Sequence, residues 1–370
     1  MNQDKIILVL SDLHLSAGPY FKGKRNSLED FYSDKALYDL LQYYSQDRYQ
    51  EKEVELIING DFLDFLAVPF VRYFDDEFWS EKAALDKLQI IYDAHQLVFQ
   101  GLDEFLSVPL KKLTYILGNH DGEMILPALK ERFLELFHPV SRSNVTLYFD
   151  EDSYFPHREV CIKHGHNYEL IHVIDPQKSI IQTQEGEYYF SPPWGSYYVN
   201  RVINKFKEER ISINAIRPIR YFVIYGLIFD TLFTLRFLFS NLFYFIMVIF
   251  ISYIKEKKGP SLKEKIRELF KELVLFQDFE NFVSDFFAQH PDVKILVVGH
   301  THLPTIKYYS DETVFINTGT WTRMYHLDFS LKDEGKKLTY ALIKIEKERV
   351  SSSLLLWQGK LADPFTEFEY

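Results

Sequence analysis

Five apolar, β-rich runs are spaced along the chain, and each stops at a polar cluster containing Asp or His. Runs of this length and composition favour strands. The predicted strands are 6–10, 54–58, 113–117, 160–162 and 293–298. Because an α/β sheet gathers its chemistry at the carboxyl ends of its strands, we expect the five clusters to share one site.

Helical patterns lie between the first strands. We expect helices near 33–46, at 81–106 with Ser80 as the cap, and at 123–137, where Pro127 starts or breaks the helix. After residue 302, four more strands are predicted at 305–309, 313–317, 338–346 and 350–357, closing a second sheet. The pattern therefore predicts two sheets packed face to face, with helices outside.

The region 167–291 departs from this pattern and is predicted to be an inserted helical cap between the core halves 1–166 and 292–370. Within the cap, residues 192–195 mark a loop, and residues 261–289 read as one or two amphipathic helices. Residues 221–254 are strongly apolar, and their last part, 237–254, carries no charge and approaches the ~20 residues of a membrane span. Basic residues flank this apolar segment: Arg217, Arg220, Lys255, Lys257 and Lys258.

The polar clusters carry carboxylate, imidazole and amide oxygen ligands, which suit divalent manganese, iron or zinc. A structural zinc site is disfavoured because the chain has a single cysteine, Cys161. The candidate ligands are too many for one ion and suit two ions that share a bridging carboxylate. The clusters are Asp12-Leu13-His14, Gly60-Asp61-Phe62-Leu63-Asp64, Gly118-Asn119-His120-Asp121, His164-Gly165-His166 and Gly299-His300-Thr301-His302.

These five clusters, in this order, resemble the signature of the calcineurin-like metallophosphoesterases: D-x-H, GD-x-x-D, GNH-D/E, H and GH-x-H. The resemblance spans Asp12 to His302 and continues into residues 316–321. It implies a four-layer α/β sandwich and a metal-dependent hydrolase that cleaves a phosphoester or pyrophosphate bond with metal-activated water. It also implies two divalent ions, with manganese favoured and iron or zinc as alternatives. The first ion would be held by Asp12, His14, Asp61 and His302, and the second by Asp61, Asn119, His164 and His300, with Asp61 as the bridge.

The same resemblance places His120 over the phosphate, as a proton donor or a positive partner of the transition state. Asp121 would orient the imidazole of His120. Asp64 is expected to support the ligands at most, and His166 to touch substrate or packing. Histidines outside the motifs, including His172, are expected to be ordinary surface or core residues.

The formal net charge of -11 and the pI of about 5.6 disfavour a nucleic acid partner. With one cysteine and no visible signal peptide, we expect a cytoplasmic protein, at the inner face of the membrane. A single membrane span is excluded because predicted ligands both precede and follow residues 221–254. We favour aromatic-rich helices that dip into the bilayer surface. A buried helix pair and an oligomer interface are the alternatives.

Three functions remain open. The first is hydrolysis of a lipid-linked substrate, by analogy with the UDP-2,3-diacylglucosamine pyrophosphatases, although those enzymes carry Arg at the position of His120 and Asp at the position of His166. The second is a general phosphodiesterase or phosphomonoesterase acting on soluble substrates, with the cap serving oligomerisation. The third is a catalytically silent membrane adaptor. The intact ligand set argues against the third.

Overall fold

The computed structural model describes residues 4–69, 76–211, 213, 215–217, 219–255, 279–310, 312–326, 337–347, 349–359 and 365–367. The strands of the two main sheets are β1 (Lys5–Leu10), β2 (Glu53–Asn59), β3 (Lys111–Ile116), β4 (Val145–Tyr148), β5 (Tyr154–His157), β6 (Val160–Ile162), β7 (Ile295–Val298), β8 (Thr305–Tyr308), β9 (Val314–Asn317), β10 (Thr339–Glu346), β11 (Arg349–Trp357) and β12 (Phe365–Glu367). Three short pairs stand apart: Tyr20–Phe21 with Lys24–Arg25, Ile180–Gln182 with Tyr188–Phe190, and Ile216–Arg217 with Tyr325–His326. The α-helices are α1 (Asp34–Ser45), α2 (Glu81–Ala94), α3 (Gln96–Ser107), α4 (Pro127–Glu135), α5 (Pro139–Arg142), α6 (Trp194–Tyr198), α7 (Asn204–Lys207), α8 (Ile219–Phe229), α9 (Thr231–Lys255) and α10 (Phe279–Gln289).

The first sheet has seven strands in the order β12-β11-β10-β1-β2-β3-β4. Strands β1 to β4 run parallel, and β10 pairs antiparallel with β1. The prediction that the last strands close the second sheet is therefore wrong for β10 and β11. Their strand pattern was visible in the sequence, but the pairing of β10 with β1 joins residues more than three hundred positions apart, and β11 enters the same sheet by pairing with β10.

The second sheet has five strands in the order β8-β9-β7-β6-β5. Side chains from both sheets form one buried cluster that includes Ile7 and Ile57 from the first sheet and Ile162 and Val297 from the second. A larger cluster lies between the first sheet and helices such as α1 and α3. The predicted α/β sandwich with packed sheets and outer helices is confirmed.

Helix 81–106 was predicted as one element, but it is divided into α2 and α3 at His95. The Ser80 cap is as expected, since its hydroxyl accepts a hydrogen bond from the Ala83 nitrogen at 3.1 Å. At the division, the buried His95 ring lies 2.7 Å from Asp34 through Nδ1 and 3.3 Å from Glu29 through Nε2. Two carboxylates thus hold the break between the helices.

The contacts of His95 with Asp34 and Glu29 predict that the stability of the fold depends on pH. Burial lowers the pKa of His95, but the bonds to Asp34 and Glu29 outweigh it and raise the pKa to about 9. A raised folded-state pKa stabilises the fold below the unfolded value near 6.5, and this contribution is lost as the pH rises through about 9. We expect a loss of up to about 3 kcal/mol between pH 6 and 10 in urea unfolding. His95→Gln should remove most of that dependence, and an identical pH dependence in both proteins would contradict the assignment.

The inserted region contains a helical hairpin, defined here as α8 and α9, which turns at Asp230. Gly226 allows close helix packing, since a Cβ there would overlap the Thr234 side chain. The outer face of the hairpin is apolar and open: Phe229 is 82% exposed, Phe243 71% and Phe239 66%. Within the single chain, the alternative of a fully buried helix pair is therefore wrong. Across the described part of the chain, no helix combines the length and apolar character that crossing a bilayer requires.

Two other predictions concern the loop at 192–195 and the amphipathic stretch at 261–289 of the insertion. The loop predicted at 192–195 is shorter than expected, because helix α6 already begins at Trp194. Most of the amphipathic stretch 261–289 lies outside the described residues, and α10 is its described end. Two buried contacts anchor the insertion to the core: the Asn204 amide donates to the Leu66 carbonyl at 2.7 Å, and the Lys207 ammonium donates to the Leu28 carbonyl at 2.9 Å.

Candidate metal centre

The predicted ligands stand on an unusual backbone. Among the described residues, nine non-glycine positions have a positive φ, and five of them are predicted ligands. Left-handed conformations cost non-glycine residues on the order of 1–3 kcal/mol, and such strain collects at functional sites. The turns after β1, β2 and β7 therefore aim these side chains at the expense of local stability. The five residues are Asp12, His14, Asp61, His300 and His302, with φ between 51° and 67°.

A first group of possible ligands gathers at the ends of β1, β2 and β7. Its ligand atoms lie within 4.8 Å of one another. Nε2 of His14 is 3.1 Å from Nε2 of His302, and the latter is 3.2 Å from Oδ1 of Asp12. Two imidazole nitrogens and several carboxylate oxygens that point at one place fit a divalent cation. The group comprises Asp12, His14, Asp61 and His302.

A second group shares Asp61 and comprises Asp61, His164 and His300. Nδ1 of His164 lies 2.8 Å from the Asn59 carbonyl oxygen, so it carries the proton and leaves Nε2 free, 3.3 Å from Oδ2 of Asp61. This hydrogen bond selects the tautomer that a metal ligand needs. The Asn119 side chain is buried, and its Oδ1 atom makes no hydrogen bond with the described residues. A buried amide oxygen without a partner fits the same cation.

Glycine is required where the third motif meets the second. A Cβ on Gly118 would overlap both the carboxylate and the backbone nitrogen of Asp61. The next residues complete the contact, because the His120 nitrogen donates to Oδ1 of Asp61 at 2.8 Å. The third motif therefore packs against the Asp61 carboxylate at Gly118 and donates a hydrogen bond to it from His120.

His120 faces a different carboxylate from the one expected. Its Nδ1 atom lies 3.0 Å from Oδ1 of Asp64, as an ion pair rather than an aligned hydrogen bond. Asp121 instead accepts hydrogen bonds from the Phe62 nitrogen at 3.0 Å, the Tyr115 hydroxyl at 2.6 Å and the Gly118 nitrogen at 2.6 Å. The expectation that Asp121 orients the His120 ring is therefore corrected. Asp121 shapes the loop, and Asp64 meets the ring.

Asp64 has a wider supporting role than the sequence indicated. Its Oδ2 atom lies 3.2 Å from Nδ1 of His14, and its Oδ1 atom accepts the Ala67 nitrogen at 3.0 Å. One carboxylate thus touches both a predicted metal ligand and His120. With Nδ1 of each ring turned toward Asp64, Nε2 of each ring is left for the centre.

The electrostatics of the site favour a cation. Burial raises the pKa of Asp61, but the charges of His164 and His120 outweigh it and hold that pKa well below its usual range. Burial lowers the pKa of His164, but Asp61 and Asp12 raise it to about 10. The negative potential that draws a proton to His164 would equally stabilise a divalent ion.

Two further histidines, His166 at the end of the fourth motif and His172 after it, lie close to the centre. His166 is buried, its ring centroid is 5.3 Å from that of His164, and neither of its ring nitrogens has a hydrogen-bond partner among the described residues. His172 lies with its ring 5.3 Å from that of His300, so the expectation that it is ordinary is wrong. Glu169, which the sequence analysis missed, lies between His172 and His300, with Oε2 3.2 Å from Nε2 of His300. It has no motif spacing by which it could be found.

Solved structures similar to this chain share little sequence with it. A dimetal phosphatase from Danio rerio is 13% identical, over 99% of this chain and 98% of that chain, with a TM-score of 0.39. A putative 5'-nucleotidase from Staphylococcus aureus is 13% identical, over 96% of this chain and 54% of that chain, with a TM-score of 0.34. Vacuolar protein sorting 29 from Cryptosporidium parvum is 11% identical, over 100% of both chains, with a TM-score of 0.31. A search of curated proteins found no match.

The sequence of the chain also matches the model of a known protein family. The model of the calcineurin-like phosphoesterase family matches residues 6–304, a range that contains both ligand groups and every predicted site residue. The Asp and His clusters that it spans have the composition and spacing of a divalent metal site. The chain therefore belongs to the calcineurin-like phosphoesterase family and is a metal-dependent phosphoesterase.

Proposed function

We propose that this protein is a dinuclear phosphoesterase that acts on a lipid-linked phosphoester or pyrophosphate. The proposal of two metal ions rests on one observation: two ligand groups overlap at a single residue, Asp61. A carboxylate common to both groups is the expected bridge of a two-metal hydrolase. We assign Asp12, His14, Asp61 and His302 to the first ion, and Asp61, Asn119, His164 and His300 to the second.

The chemistry is divided between the ions and the side chains. Bound divalent ions would lower the pKa of a water molecule and would stabilise the negative charge on the phosphoryl oxygens. His120 would present Nε2 to the leaving oxygen and donate a proton to it, while Asp64 holds Nδ1. We propose Mn²⁺ because the set is rich in carboxylate and imidazole and lacks thiolate. Iron and zinc are the alternatives that metal reconstitution would separate.

The lipid-linked substrate is supported by the position and surface of the insertion. Among its described residues the hairpin exposes ten large apolar side chains between Ile224 and Ile246, and those of α9 recur every three or four residues, as on one face of a helix. The segment that enters the insertion reaches the centre at Glu169 and His172. We propose residues 167–291 as one inserted cap whose hairpin meets the acyl chains and the inner face of a membrane.

The same apolar face gives the second candidate. A hairpin with exposed Phe and Leu side chains would also suit a contact between two copies of the chain. The enzyme would then act on soluble phosphodiesters or phosphomonoesters, and the hairpin would serve assembly.

Substrate preference separates these candidates. Metal-loaded protein would be assayed against a nucleotide-linked acylated sugar, the same sugar without acyl chains, an aryl phosphodiester and an aryl phosphomonoester. The proposal expects the acylated substrate to give the highest kcat/KM. Equal rates with and without acyl chains would support the soluble alternative and contradict the lipid-linked one.

Charged substitutions on the hairpin give a prediction of their own. Phe239→Glu and Phe243→Glu replace exposed side chains, so the fold should survive. We expect both variants to lose binding to anionic vesicles in flotation, and to show a KM for the acylated substrate raised about tenfold or more, the effect of losing ~1.4 kcal/mol of contact. Hydrolysis of the aryl ester should be unchanged.

The control is Phe155→Glu, which changes an exposed phenylalanine on β5, outside the insertion. It should leave flotation and both KM values as in the unmodified protein. Unmodified protein that stays entirely out of the vesicle fraction would refute the membrane contact. A change from dimer to monomer in the hairpin variants would instead support the assembly role.

A further inference from the structure

Glu169 enters the centre from outside the five motifs. It lies between two short turns, His166–Tyr168 and Leu170–His172, directly after the fourth motif. Its carboxylate oxygen Oε2 is 3.2 Å from Nε2 of His300 and 3.4 Å from Nε2 of His172. These three side chains form a compact group of their own, which shares His300 with the second ligand group. One imidazole thus belongs to both groups.

The tautomer of His300 follows from this contact. An ionised carboxylate can only accept a hydrogen bond, so Nε2 of His300 must donate. With the proton on Nε2, only Nδ1 of His300 keeps a lone pair. A carboxylate behind a metal-binding imidazole is a common way to fix both ring and proton.

We propose that Glu169 is a positioning residue of the second metal site, which holds His300 with Nδ1 directed to the ion. The inference rests on the proposed function, because it needs the second ion. It assigns a residue of the insertion to the metal centre, so the placement of the insertion becomes coupled to metal binding.

Neighbouring contacts fix Glu169 in place. The amide of Asn167 donates to Asp152 at 2.8 Å and its oxygen accepts the Ile174 nitrogen at 3.1 Å, so the segment is tied on both sides. Tyr168 packs against Phe282 of α10, with ring centroids 3.6 Å apart. These contacts order the chain on both sides of Glu169, so less entropy is lost when its carboxylate orders the His300 ring.

The insertion reaches the same carboxylate through His172. A Cβ on Gly195, in helix α6, would overlap the His172 ring. The helix therefore packs directly on the histidine that shares Glu169 with His300. A displacement of α6 would therefore shift the His172 ring, and with it the Glu169 carboxylate that His172 contacts.

Metal titration tests the proposal without relying on turnover. Metal-free full-length protein would be titrated with Mn²⁺ in a calorimeter, and the number of ions and both dissociation constants measured. Glu169→Gln keeps the size and removes the charge, and we expect the second dissociation constant to rise 10–100-fold while the first stays unchanged. Glu169→Asp should recover part of the affinity. The matched control Glu185→Gln changes an exposed glutamate of the same insertion and should bind as the unmodified protein does.

The outcomes separate this inference from the proposed function. His300→Ala should bind one ion, which identifies the second site in the titration. Two ions in the unmodified protein with an unaltered second constant in Glu169→Gln and Glu169→Asp would overturn the role of Glu169 and leave the dinuclear proposal standing. Fewer than two ions in the unmodified protein would overturn both.

Discussion

Asp61→Asn is expected to abolish hydrolysis and to remove at least one of the two ions. Asp61 is the only residue common to both ligand groups, and its carboxylate is fully buried between them. An amide of the same size keeps the packing but removes the charge that both ions would share. Loss of a partner outside the ligand shell typically costs 10–100-fold in affinity or activity, so a bridge should cost more than about 100-fold.

Metal content and turnover would be measured on the same preparation. The control is Asp150→Asn, which alters an exposed aspartate at the end of β4 and should change neither quantity. An Asp61→Asn protein that still binds two ions with undiminished turnover would show that Asp61 is not the bridge.

His120→Ala has the second largest expected effect. The ring lies beside Asp64 and beside the His14 ring, with centroids 4.6 Å apart, but it belongs to neither of the two groups that share Asp61. A general acid contributes about 10²–10⁴-fold to turnover, so kcat should fall by that factor. Both ions should remain bound, because every proposed ligand is unchanged.

Metal analysis and kinetics with leaving groups of different basicity distinguish the roles of His120. A proton donor matters most for a poor leaving group, so the loss should shrink for an activated aryl ester. His138→Ala, on an exposed histidine, serves as the control. A loss of bound metal in His120→Ala that parallels the loss of turnover would place His120 among the ligands instead.

The strands and the motif residues could be predicted because both depend on local pattern. Apolar runs end shortly before Asp12, Asp61 and Asn119, and the structure has a strand end two or three residues before each of them. Pairing is different, because the partner of β1 at β10 is set by contacts between distant segments. The break at His95 likewise depends on Glu29 and Asp34, which periodicity within a helix does not reveal.

Side-chain partners inside the centre were harder to predict than ligand identity. Asp121 follows His120 in sequence, which suggested a contact, but the turn directs its carboxylate to backbone nitrogens and the Tyr115 hydroxyl. Glu169 had no spacing signal at all, because its contact with His300 joins the insertion to the last motif. The open face of the hairpin also depended on how its helices meet the core, which the apolar composition alone did not determine.

The central claim is that Asp61 joins two metal ions. Crystals grown with Mn²⁺ would be measured at the manganese absorption edge, and an anomalous difference map would locate the ions without assumptions about activity. We expect two peaks, one beside Asp12, His14 and His302, the other beside Asn119, His164 and His300, with Asp61 between them. A single peak, or peaks away from these residues, would contradict it.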